Sequence, residues 1–350
     1  MESSKSWVLV TGATGYLAGY VIKELLEANY RVRGSVRKLA DKQKYAHLFK
    51  LPKASPDTLD FVEAELSNTE CWEAACKDCL YVIHVAFPLL LKTPKDPVKE
   101  IIQPAVQGTI NVLNAALKAG VKKVVVTSSS STVHSGHGDK TNEMIFNETI
   151  WSNIEFCTPY EKGKMLAEKE AWKFYEANKD KIEVSVIIPG YIIGPVLSKN
   201  VAASPTLVIR ILKNEMPGLP VLSFPFVDVR DVAHAHVLAM ENPNATGKRF
   251  LIANKTLLIE EVAKILKKEF ANKGYKIPTR KVGKCPLKFA ALFDSEVRLV
   301  LDYVGKFYRI DNSKSVEVLG MKYIGIEESL IEMAYSLIEH GIVPKKSPKK

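Results

Sequence analysis

Trp7-Val8-Leu9-Val10-Thr11-Gly12-Ala13-Thr14-Gly15-Tyr16-Leu17-Ala18-Gly19 is the stretch on which the fold turns. Residues 7–11 form a short, largely apolar run that stops at Gly12. From there Tyr16, Leu17, Val21, Ile22, Leu25 and Leu26 recur at helical spacing. A strand, a glycine turn and a helix therefore follow one another directly. Glycine lets the backbone bend sharply and approach a pyrophosphate, whose charge the N-terminus of the helix stabilises. The spacing is Gly-x-x-Gly-x-x-Ala, so Ala18 stands where close helix–strand packing needs a tiny side chain. A lone glycine pattern is weak evidence, but one lodged between a first strand and a first helix is specific.

The alternation continues outward. Strands are predicted at 30–36, 59–62, 81–85, 123–127 and 183–188, with helices at 69–75, 101–118 and 160–177. That rhythm predicts an α/β protein with a doubly wound parallel sheet of the Rossmann type, covered on both faces. After Pro189 the pattern changes, with Pro195, Pro205, Pro217, Gly218, Pro220 and Pro225 breaking it up. We read residues 1–190 as a dinucleotide-binding domain to which 226–252 returns, 226–228 and 249–252 rejoining its sheet. Residues 191–225 and 253–342 form a smaller, interleaved substrate lobe, and 343–350 a frayed basic tail.

The chain has 350 residues, 47% of them hydrophobic, and a formal net charge of +10. Four of those charges sit in Lys345-Lys346-Ser347-Pro348-Lys349-Lys350, and the remainder is spread without interleaved aromatics, which argues against a nucleic-acid partner. No apolar run approaches the roughly 18 residues of a membrane span, and no leader pattern precedes the first strand, so a cytoplasmic protein, monomer or homodimer, is expected. Cys71, Cys76, Cys79, Cys157 and Cys285 read as reduced thiols, with no partner cluster at zinc spacing. His134 and His137 lack a third ligand, and His234 and His236 point apart on a helix, so no metal is expected. Asp228 and Asp231 read as caps of that helix.

The second strand runs out through Val32-Arg33-Gly34-Ser35-Val36-Arg37-Lys38, and no acid occurs between Tyr30 and Ala40. A site for NAD places Asp or Glu here against the ribose 2′-hydroxyl; one for NADP(H) places Arg against a 2′-phosphate. Arg37 fits the second, with Lys44 as an added point charge.

Thr158-Pro159-Tyr160-Glu161-Lys162-Gly163-Lys164 reads as a helix start, with Thr158 as N-cap, Pro159 at the first position and Glu161 completing a capping box. Tyr160 and Lys164 are four apart and share a face. An ammonium beside a phenol lowers the phenol pKa toward working pH, as general acid catalysis requires. Thr127-Ser128-Ser129-Ser130-Ser131 ends the fifth strand, at the carboxyl edge where open α/β sheets bind ligands.

Glycine turn, serine run and Tyr/Lys pair in this order resemble the extended short-chain dehydrogenase/reductase superfamily. More narrowly the chain resembles the branch of dihydroflavonol reductases, cinnamoyl-CoA reductases and fungal-type aldehyde/ketone reductases, and the resemblance runs from about Trp7 to Pro344. It includes His84-Val85-Ala86, Ile188-Pro189 with Gly194-Pro195, and Val227-Asp228-Val229-Arg230-Asp231-Val232-Ala233. The resemblance implies an oxidoreductase that reduces an aldehyde or ketone with NADPH. Tyr160 would be the proton donor, Ser129 the catalytic serine (Ser128 and Ser130 being register alternatives), and Lys164 the residue that holds ribose and tunes Tyr160. It also implies cofactor contacts from Gly12, Gly15, Tyr16, Leu17, Arg37, Lys44, Glu65, Leu66, Val85, Ala86 and Pro189. Phe87 stands where the branch has Ser or Thr, and the Asn-Trp-Tyr-Cys-Tyr signature of cinnamoyl-CoA reductases is missing. His134 and Pro225 replace flavonoid-contacting Asn and Gln, and together with Phe87, Phe224 and Phe226 they predict a largely apolar substrate pocket. The same triad serves hydroxysteroid dehydrogenases/isomerases and nucleotide-sugar epimerases/dehydratases. A non-catalytic NADP sensor is the reading outside enzymes.

Overall fold

The computed structural model of the protein describes residues 6–88, 94–200, 204–290, 292 and 301–347. Its main sheet is built from β1 (Trp7–Val10), β2 (Arg31–Val36), β3 (Leu59–Glu63), β4 (Cys79–His84) and β5 (Lys123–Thr127). After the two-residue strand β6 (Ile145–Phe146), β7 (Glu183–Pro189) joins it. The chain continues through β8 (Tyr191–Ile193), β9 (Leu219–Pro220), β10 (Ser223–Asp228), β11 (Arg249–Ile252), β12 (Lys255–Leu258), β13 (Lys281–Val282) and β14 (Arg309–Ile310). Seven strands lie in the order β11-β7-β5-β4-β1-β2-β3, every pairing parallel. The order reverses between β1 and β4, and the carboxyl ends of strands at such a switch point leave a crevice.

Both faces of this sheet are covered, which is why its strands read as near-continuous apolar runs. Val8 and Val10 point into one core with α1 (Tyr16–Glu27), while Leu9 points into the other with α2 (Glu70–Cys76) and α3 (Gln103–Lys118). A four-residue helix, α4 (Ser131–His134), follows β5, and α5 (Pro159–Asn178) packs against α3. The capping box that starts α5 is present: the Thr158 hydroxyl accepts from the Glu161 N–H, and the Glu161 carboxylate accepts from the Thr158 N–H.

Residues 249–252 rejoin the main sheet as its edge strand, as the sequence predicts, but 226–228 do not. Those three pair with 191–193 and, through Phe226, with Lys255, in a separate sheet ordered β12-β10-β8. Only the helix after them, α7 (Val229–Glu241), returns to pack on α1 and β7. Asp228 caps it as expected, its side chain accepting from the Arg230 N–H, whereas Asp231 accepts from the Ile324 N–H at 3.0 Å and so ties α7 to the lobe. The tail is anchored as far as Pro344: Val343 is fully buried and the Tyr275 hydroxyl donates to the Pro344 carbonyl at 2.9 Å. Lys349 and Lys350, like residues 1–5, lie outside the described residues. Among the described residues, no helix is long and apolar enough to cross a membrane.

Candidate active site

The crevice at the switch point opens into a cleft of about 1010 Å³, running from the glycine turn to the lobe. Gly12 sits at φ +70°, and a Cβ there would meet the Ala86 backbone at 3.2 Å. The turn is thus pressed against the end of β4. Thr11 and His84 make the clamp: the Thr11 hydroxyl is 2.9 Å from His84 Nδ1 and accepts from the Ala86 N–H at 2.9 Å. Burial pushes His84 down to about 3, so its imidazole is neutral and acts as a hydrogen-bonding spacer.

Gly12, Gly15, Tyr16, Leu17, Arg37, Glu65, Leu66, Val85, Ala86 and Pro189 all line the cleft. The Tyr16 hydroxyl donates to the Gly194 carbonyl at 2.6 Å, pinning the first turn of α1 to the lobe. Arg37 is exposed where β2 ends. Lys44 is not brought to the cleft; its ammonium lies 2.8 Å from the Asp41 carboxylate. The backbone cradle at Gly12, the helix N-terminus at Gly15 and the Arg37 guanidinium fit a phosphorylated dinucleotide.

At the other end, the segment after β5 and the first turns of α5 bring Ser129, Tyr160 and Lys164 to the same stretch of the cleft. Lys164 is buried, and its ammonium donates to the Thr127 carbonyl at 3.0 Å. The Phe87 ring covers that ammonium at 4.3 Å from the ring centre, and stands edge-to-face with Tyr160 at 5.2 Å. Burial pushes Tyr160 up, and a hydrogen bond with the Ser129 hydroxyl pulls the other way. Burial drives Lys164 itself down to about 7, against the pull of Glu168.

The three serines are sorted by their partners. Ser128 donates to the Glu168 carboxylate at 2.5 Å, and Ser130 pairs with His134 Nε2 at 3.2 Å. Ser129 faces Tyr160 and accepts from the Ser131 hydroxyl at 2.9 Å. Glu168 holds this arrangement from behind. It also accepts from Thr132 at 3.0 Å and lies 2.8 Å from the Arg249 guanidinium, which stacks 3.7 Å over Trp151.

Phe87, His134, Phe224 and Pro225 line the substrate end, but Phe226 is fully buried behind them and belongs to the core. His134 is buried against Tyr308, ring centres 4.2 Å apart, and burial pushes it down to about 3. Sequence reading missed Tyr191, Tyr303 and Tyr308, which also line this end. They arrive from strands and turns of the lobe that carry no periodic signal. Among the described residues no group of His, Cys, Asp or Glu is arranged to hold a metal.

Comparison with known proteins places this geometry. Residues 8–253 match the pattern of the NAD dependent epimerase/dehydratase family. The chain is 35% identical to cinnamoyl-CoA reductase 1 of Arabidopsis thaliana, over 95% of this chain and 90% of that one. It is 33% identical to tetraketide alpha-pyrone reductase 1 of the same plant, over 99% and 100%. Among solved structures, yeast methylglyoxal/isovaleraldehyde reductase Gre2 complexed with NADPH superposes with a TM-score of 0.80 at 26% identity, covering 96% of this chain and 99% of that chain.

The network behind the serines yields a stability prediction. Glu168→Ala strands the buried Arg249 cation and is expected to cost about 3–5 kcal/mol in urea unfolding, as loss of one partner of a buried pair does. A cost below about 1 kcal/mol would show that the pair does not hold the serine loop.

Proposed function

Since the chain belongs to the NAD dependent epimerase/dehydratase family, the extended short-chain dehydrogenases/reductases, we propose that it reduces an aldehyde or ketone to the alcohol with NADPH. The observation that carries the reading is that Ser129, Tyr160 and Lys164 line one cleft at the carboxyl edge of the sheet, with Lys164 one turn along α5 from Tyr160 and anchored to the Thr127 carbonyl. Gly12, Gly15, Tyr16 and Leu17 would hold the pyrophosphate, Arg37 the 2′-phosphate, and Glu65 and Leu66 the adenine end. Val85, Ala86, Pro189 and Lys164 would hold the nicotinamide riboside. NADPH, when bound, supplies the hydride.

The chain's own residues do the rest. Ser129 donates a hydrogen bond to the substrate carbonyl oxygen and fixes it beside Tyr160. Tyr160 gives that oxygen a proton; burial keeps the phenol protonated through neutral pH, the form a reductive acid needs. Phe87 and the aromatic residues of the lobe keep water from both groups, which strengthens each polar contact.

The wall formed by Phe87, Tyr191, Phe224 and Tyr308 suits modest aldehydes and ketones carrying an apolar or aromatic group. Pro225 offers no side-chain donor or acceptor to a hydroxylated flavonoid. The likeness to a methylglyoxal/isovaleraldehyde reductase supports small carbonyls, and the missing signature argues against a cinnamoyl-CoA thioester.

Three measurements test this reading. Specificity constants compared across such carbonyls, a dihydroflavonol and a cinnamoyl-CoA thioester should favour the carbonyls; a tenfold advantage for either of the others, about 1.4 kcal/mol of transition-state preference, overturns the pocket assignment. Tyr160→Phe should keep NADPH binding by fluorescence while turnover drops by roughly 10²–10⁴. Full turnover in that variant would mean that the proton comes from elsewhere. Arg37→Ala should raise KM for NADPH much more than for NADH, and equal use of both cofactors by the unaltered protein would remove Arg37 from the 2′-phosphate.

A further inference from the structure

Every polar contact that the Glu161 carboxylate makes is with a donor. Oε1 accepts from the Ser135 hydroxyl at 2.6 Å and the Tyr303 hydroxyl at 2.9 Å; Oε2 accepts from Tyr303 at 2.8 Å and the Thr158 N–H at 2.7 Å. That is the setting of an ionised carboxylate, which can only accept. The capping box explains the Thr158 contact alone. It does not explain why two hydroxyls, one from a distant turn of the lobe, converge on the same group. The residue is buried, lines the cleft, and adjoins Tyr160 in the chain. No cation pairs with it among the described residues.

Lys306 stands close, its ammonium 5.9 Å from the centre of the Tyr303 ring, but none of the described cations forms an ion pair with Glu161. The Lys164 ammonium is spent on the Thr127 carbonyl, shielded beneath the Phe87 ring and faced by Glu168. Arg37 lines the opposite end, beyond the glycine turn, while Glu65 and Glu100 add two further carboxylates to the lining. We infer that Glu161 is a specificity-determining residue: it gives the substrate end a fixed negative wall, so carbonyl compounds that are uncharged or cationic are accepted and those bearing a carboxylate are turned away. The inference rests on the reading of the cleft as a carbonyl-reducing site.

Desolvation penalises an incoming charge of either sign, whereas the field of a buried carboxylate separates the two signs, and salt screens it little at this depth. The test follows from that difference. Three ketones of one skeleton, ending in a carboxylate, a carboxamide or an ammonium, are compared by kcat/KM for NADPH oxidation. The ammonium ketone is expected to exceed the carboxylate ketone at least tenfold, and Glu161→Gln to narrow that ratio at least fivefold. Equal constants for the two charged ketones, or a ratio that Glu161→Gln leaves intact, overturn the inference while reduction of the carboxamide ketone keeps the functional reading standing. Failure to reduce even the carboxamide ketone takes the functional reading down as well. Should Glu161→Gln not fold, Tyr303→Phe strips a donor and keeps the charge; it is expected to widen the ratio, and an unchanged ratio counts against Glu161.

Discussion

The contact between Glu168 and Arg249 is the constraint on which the Tyr160 end of the cleft depends. A buried ion pair gains little net stability, because each partner gives up its water, but it holds its neighbours in fixed directions when every lone pair is used. Here one carboxylate collects Ser128, Thr132, Trp172 and Arg249. Ser128 is thereby turned away from Tyr160 and Ser129 is left facing it. Arg249 comes from the edge strand β11 and Glu168 from α5, so the sheet edge and the helix bearing Tyr160 and Lys164 are joined through one interaction.

The opposite end is held by neutral groups. Thr11, His84 and Thr109 link β1, β4 and α3 through a buried imidazole that stays uncharged because its surroundings are dry. Gly12 can then lie against Ala86 with no side chain between them. The two ends use different physics for different tasks: a charged network fixes the directions of the serine hydroxyls, and a neutral one presses the glycine turn against β4, where the N-terminus of α1 borders the cleft.

Between them stands Phe87, one of the positions at which this chain parts from the branch it resembles. Its ring covers Lys164 and meets the edge of Tyr160. An aromatic face stabilises an ammonium that burial would otherwise neutralise. The substitution therefore changes more than the width of the pocket: it puts a π-face where a hydroxyl would have carried hydrogen bonds.

Local sequence determined a good deal. The glycine turn, the alternation of strands and helices up to Pro189, the capping box at Thr158 and the shared face of Tyr160 and Lys164 all rest on neighbours within a few positions, and the structure reproduces each of them. The tertiary structure alone decided which of three serines meets Tyr160, that Phe226 is core while Phe224 is wall, that 226–228 belong to the second sheet, that Lys44 stays with Asp41, and that Tyr303 reaches Glu161 from the lobe. Each of those outcomes is a contact between residues far apart in the chain, or a choice between two side chains of equal local propensity. Helical and strand periods fix which way a side chain points from its own element, but what it meets there depends on how the elements pack.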